Sequence, residues 1–149
     1  MTITRTDWPA LALLLVRSVL GLIFFMAGVY KVFTLGPTGH VTQLFLPFQD
    51  TFLPTWSLWA AGFTIPFVEL IAGGLVLFGW WRTAAYGAIG AVLVVVTFGH
   101  LLHEPLYPFH EHVIPRLVLL LVLLLMPPNS DRFALDEILA RRRGRVVAD

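Results

Sequence analysis

Four apolar stretches, at residues 9–33, 56–78, 83–103 and 109–126, take up most of the chain and leave it few folds to choose from. A helix needs about 20 mostly apolar residues to cross roughly 30 Å of hydrocarbon, and within that layer each backbone amide must find its partner inside the protein. Stretches of this length, separated by shorter connections, read as helices that cross a bilayer. Of the 149 residues, 58% are hydrophobic and 13% charged, so little remains for a separate soluble domain. The expected fold is all-α, a single integral membrane domain over residues 1–149. It is a four-helix bundle of antiparallel up-down topology, followed by a surface tail at 130–149 that carries a short amphipathic helix. The first stretch follows Arg5, but it runs on too far for a secretory signal and lacks a small-residue cleavage site, so it is expected to stay as a span.

Lysine and arginine near the ends of spans set orientation. Arg5 precedes the first stretch, Arg82 lies between the second and third, and Arg132, Arg141, Arg142, Arg143 and Arg145 follow the fourth. Both termini are therefore expected on the cytoplasmic side. The arginine cluster reads as a topology signal or a contact with anionic lipid, not as a nucleic-acid site. With zero cysteines the chain has no disulfide, thiolate metal site or dithiol couple of its own, and thiol chemistry would have to come from a partner.

Helical periodicity then separates protein-facing from lipid-facing residues. Arg17, Gly21, Phe24, Gly28 and Lys31 recur at alternating intervals of four and three, which puts them on one face of the first helix. Small residues there allow close helix approach, while Leu14, Leu15, Leu22 and Ile23 are left to face lipid. In the second helix Gly62, Pro66, Glu69 and Gly73 share a stripe, and Pro66, having no N–H, frees the carbonyl of Gly62. The segment 34–55 is too broken by Gly36-Pro37, Pro47 and Pro54 to span and is expected to lie at the surface or dip partly inward, with His40 as an exposed loop residue. In the tail, Ser130 or Asp131 is expected to cap a helix whose apolar contacts are Phe133, Ile138 and Leu139.

Ionisable residues inside a bilayer are costly unless paired. Arg17 and Glu69 lie about 12 and 15 Å from the same membrane face at about 1.5 Å per residue, so they are expected to pair as a lock between helices or to form a site that handles protons or a head group. The opposite end is richer, for residues 97–116 hold four of the five histidines. His100, His103 and Glu104 share one helical face, and His110 and His112 flank Glu111 across a turn. Neutral imidazole and carboxylate at such spacing can relay protons, hydrogen-bond the carbonyls of a quinone, or, as His100, His103 and Glu104, hold a metal. A loop that carries solvated histidines is the plain alternative. Arg17, Lys31, Glu69 and Arg116 are the expected buried polar cluster. No dinucleotide fingerprint or nucleophile constellation is present, which argues against an independent soluble-type enzyme.

The strings Arg17-x3-Gly-Leu-Ile-Phe-x2-Ala-Gly-Val-x-Lys31, Glu69-Leu-Ile-x-Gly-Gly-Leu-x-Leu-x-Gly79 with Arg82-x-Ala-Ala after it, and Phe133-Ala-Leu-Asp-Glu-Ile-Leu-Ala-Arg-Arg resemble the DoxX family of small four-helix membrane proteins. The resemblance covers nearly the whole chain. It implies a bacterial or archaeal cytoplasmic membrane and association with quinone-linked or redox-stress oxidoreductases. The expected function is accordingly a membrane subunit of such a system, with a quinone as its cofactor and other redox-complex subunits, the bilayer and a second copy of the chain as partners. A non-catalytic scaffold is the alternative, and a small-molecule permease is disfavoured by the few spans.

Overall fold

A computed structural model describes residues 8–103 and 108–146. These residues form six α-helices and no strand: α1 (Trp8–Val29), α2 (Pro37–His40), α3 (Thr55–Phe78), α4 (Arg82–His103), α5 (Phe109–Leu125) and α6 (Leu135–Val146). The all-α expectation therefore holds. α1 continues through a wider helical turn over Tyr30–Thr34, so that Trp8–Thr34, Thr55–Phe78 and Arg82–Leu102 are the three helices long and apolar enough to cross a membrane. α5, at 17 residues, lies at the lower limit of length for a fourth. Glu104 lies outside the described residues, as does the side chain of His103.

The seam between α1 and α3 organises the bundle. Arg17, Gly21, Phe24 and Gly28 of α1 and Gly62, Pro66, Glu69 and Gly73 of α3 are all buried, as their spacing requires. A Cβ on Gly21 would come within 2.7 Å of the Leu77 backbone nitrogen, one on Gly28 would strike the backbone of Leu70, and one on Gly73 would strike that of Phe25. Rising positions on α1 thus meet falling positions on α3, and the two helices run antiparallel at backbone contact. Leu20, Ile65, Val76, Ile89, Val92 and Leu120 fill the core around this seam. Leu15, Leu22, Ile71, Val94 and Leu125 point outward and are exposed. Apolar surface that continuous is rare on soluble monomers and suits contact with lipid tails.

The turn from α3 to α4 is built by Gly79, whose φ of 67° lets the Trp80 N–H turn back to the Leu75 carbonyl at 2.9 Å. The tail then closes over this turn. The Asp136 carboxylate accepts the backbone N–H groups of Trp81 and Arg82, each at 3.1 Å, and so caps the start of α4 from a distant part of the chain. Asp131, expected as a possible cap of the tail helix, is instead buried inside the bundle.

Candidate functional site

Two polar centres lie at opposite ends of α1. At the end nearer the tail, Arg17 is 1% exposed. Its Nη1 donates to the carbonyls of Val76 and Leu77 at 3.1 and 2.5 Å, and its Nη2 to that of Phe133 at 3.3 Å. Val76 and Leu77 belong to the last turn of α3; the Val76 carbonyl also accepts the Gly79 N–H at 3.0 Å, and the guanidinium adds a donor to both carbonyls while sitting at the negative end of the helix dipole. Its Nε lies 3.0 Å from the Asp131 carboxylate, which also faces Arg82 at 3.9 Å; Arg82 in turn lies 3.4 Å from Asp136.

The expected pair of Arg17 with Glu69 is therefore not formed. In an α-helix side chains lean toward the N-terminus of their own helix. The backbone contacts of Gly21 with Leu77 and of Gly28 with Leu70 set a register in which Arg17 lies at the C-terminal end of α3 and Glu69 beside Gly28 and Val29, about 12 residues or roughly 18 Å apart along the bundle; the lean adds to this, Arg17 reaching toward the tail and Glu69 toward the far end of α1. There Glu69 meets Lys31, with Nζ to Oε2 at 2.6 Å.

Around Lys31 and Glu69 the remaining predicted residues divide. Two cavities adjoin, of about 470 and 320 Å³, and both are lined by Lys31 and His100. The larger is walled mainly by apolar side chains, among them Phe45, Leu58, Ile65 and Val96, together with His40. The smaller brings Glu69, His112 and Arg116 to the same space. Lys31, Glu69, Arg116, His100 and His112 are thus gathered, whereas Arg17 stands apart. His110 and His112 lie 3.7 and 3.9 Å from the exposed Glu111 in the first turn of α5, with the His110 side chain 78% exposed to solvent. Among the described residues no group of three or more histidine, aspartate or glutamate side chains is placed to hold a metal ion. Of the expected ligands His100, His103 and Glu104, the His103 side chain and Glu104 fall outside the described residues.

His40 departs most from expectation, being 2% exposed where a loop position was expected. The segment after α1 folds back onto α3 at Gly62, where Phe45 and Val41 occupy the space a side chain would need. His40 Nδ1 lies 2.6 Å from the Gly62 carbonyl, the very group that Pro66 leaves without an N–H. A carbonyl only accepts, so Nδ1 carries the hydrogen and Nε2 the lone pair. Burial pushes the His40 pKa below its ordinary 6.5; the bond to Gly62 opposes this, and the positive charge of Lys31 adds to it. The ring is therefore neutral at physiological pH. Proline at 66 signalled a carbonyl in want of a donor, but the sequence did not say which donor would come.

Residues 9–104, from α1 to the end of α4, match the family model described as methylamine utilisation protein MauE. The chain belongs to the MauE family. The DoxX resemblance is thereby corrected. Its helix-one and helix-two strings are glycines spaced along apolar helices with one or two charges in each, and any two membrane helices packed at backbone contact call for that pattern. No curated protein and no solved structure matches the chain. In this MauE-family protein α5 and the tail, with Asp131, Asp136, His112 and Arg116, lie beyond the matched segment.

Proposed function

We propose that this MauE-family membrane protein binds a quinone in the larger cavity and serves, beside partner proteins that supply electrons, in a methylamine-utilisation system. The observation that carries the reading is the meeting of Lys31, Glu69 and His100 at the boundary of two adjoining cavities, the larger one apolar and of a size for a ring compound. A quinone would supply two-electron chemistry with uptake of two protons. The apolar walls suit its ring, and Lys31 offers N–H donors to a carbonyl oxygen. Glu69, Lys31 and His100 border both cavities between them, so they can pass protons between the smaller space, open toward His112 and Arg116, and the larger one. Using methylamine as a nutrient requires its carbon to be oxidised, which places a membrane protein of such a system beside electron carriers.

The protein should co-purify in detergent from its native membrane with roughly one quinone per chain, measured by solvent extraction and chromatography. Ala61→Phe, which fills the larger cavity, should remove the quinone while the helical circular-dichroism spectrum stays unchanged. A quinone-free wild-type preparation would sink the reading.

We place the chain in the cytoplasmic membrane with both termini inside, because Arg82 and the arginines of the tail gather at one end and Lys31 with the histidines at the other. The cysteine-free chain makes a direct test simple. In intact cells a membrane-impermeant maleimide should label Asp50→Cys and reach Arg141→Cys only after permeabilisation; the reverse order would refute the orientation.

A further inference from the structure

We infer that His40 makes the larger cavity selective for a ring ligand that bears a hydroxyl group, a hydroquinone or phenol, over one that bears only carbonyl or ether oxygens. The inference rests on the quinone reading and sharpens it, for it says which member of the redox pair the site holds.

The argument runs through three residues of the chain. Pro66 has no N–H, so the Gly62 carbonyl inside α3 lacks its helical partner. His40 supplies one from Nδ1 at 2.6 Å. With that edge of the ring turned to Gly62, Nε2 lies on the opposite edge, and among the described residues the bond to Gly62 is the hydrogen bond that His40 makes. His40 lines the cavity, and Phe45, another lining residue, holds the ring from the side at a centroid distance of 5.2 Å and a tilt of 53°. The cavity wall therefore presents a fixed acceptor. It cannot readily turn into a donor, because a second proton on the ring would bring a buried positive charge near Lys31.

Lys31 complements it. Its ammonium has three N–H groups, of which the Glu69 carboxylate takes one at 2.6 Å. The wall thus offers the remaining Lys31 N–H groups as donors and His40 Nε2 as an acceptor. A quinone oxygen can accept from Lys31 but can only oppose its lone pairs to those of His40 Nε2. A hydroquinone satisfies both, donating O–H to Nε2 and accepting from Lys31. A hydrogen bond of this kind is worth about tenfold in affinity.

The test uses the full chain in detergent or nanodiscs and three probes measured by calorimetry: a short-tailed benzoquinone, its hydroquinone kept under nitrogen, and the dimethyl ether of that hydroquinone. The wild type should bind the hydroquinone about tenfold more tightly than either of the others. In His40→Asn the side-chain amide can still donate to Gly62 but no acceptor remains at the Nε2 position, and the preference should fall to within about twofold. Should that variant not fold, the ¹⁵N resonance of His40 Nε2 in the wild type decides: it should shift on addition of the hydroquinone and stay in place with the ether. Equal binding of all three probes by the wild type, or an unchanged preference in His40→Asn, overturns the selectivity and leaves the quinone site standing. Failure of every probe to bind overturns the quinone site itself.

Discussion

Arg17→Leu should lower the stability of the fold by about 3–5 kcal/mol. The guanidinium is buried with the Asp131 carboxylate, and both Asp131 oxygens lack an in-line hydrogen-bond donor among the described residues, so charge alone compensates their burial. Among the described residues, deleting the cation leaves that carboxylate with Arg82 at 3.9 Å and removes a donor from each of the carbonyls of Val76, Leu77 and Phe133. Breaking one side of a buried ion pair costs about 3–5 kcal/mol, a large share of the roughly 5–15 kcal/mol that holds a typical domain together. Arg17→Lys should rescue little, because an ammonium cannot reach three carbonyls and a carboxylate in one plane. Asp131→Leu added to Arg17→Leu should recover part of the loss, since the orphaned charge is then gone. Thermal unfolding in detergent, followed by the fluorescence of the five tryptophans, reads all three variants. An Arg17→Leu protein melting within a few degrees of wild type would show that the centre is not what joins the tail to the bundle.

Gly73→Ala should come next in severity. The added methyl would overlap the backbone of Phe25 and lie within 2.9 Å of the Phe24 carbonyl carbon, so no rotamer change can make room and α1 must move away from α3. Overpacking of a core costs about 1–3 kcal/mol when side chains can yield, and an obstructing backbone puts this case at or above the upper figure. The neighbouring Gly74→Ala is the control: its nearest contact is the Phe25 side chain at 3.5 Å, an ordinary van der Waals distance, and alanine favours the helix. The two single-methyl variants should therefore separate widely in melting temperature. If they melt together, the α1–α3 contact is looser than described.

These two cases also mark where the sequence was legible. Gly73 was readable in advance, because the stripe of Gly62, Pro66, Glu69 and Gly73 and the matching stripe of Gly21, Phe24 and Gly28 follow from helical periodicity alone, and both face inward. The site was legible in part: Lys31, Glu69, His100, His112 and Arg116 meet at one end of the bundle, as their positions on the spans imply. The partner of each charge was not. Counting residues from helix ends placed Arg17 and Glu69 at one depth, but α1 begins well beyond the C-terminal end of α3, and the register of Gly21 against Leu77 and Gly28 against Leu70 sets the two charges roughly 18 Å apart.

What the sequence by itself determined is the all-α membrane class and the inward faces of α1 and α3, because hydrophobic length and the 3.6-residue period are properties of local chain. The DoxX resemblance drew on that same local pattern and did not survive. Tertiary structure alone decided that Asp131 and Asp136 return from the tail to Arg17 and to the start of α4, and that His40 folds back to the Gly62 carbonyl. Each of those contacts joins residues more than 20 positions apart to satisfy a backbone or charge left open by another element. Which distant group arrives is settled only when the helices pack.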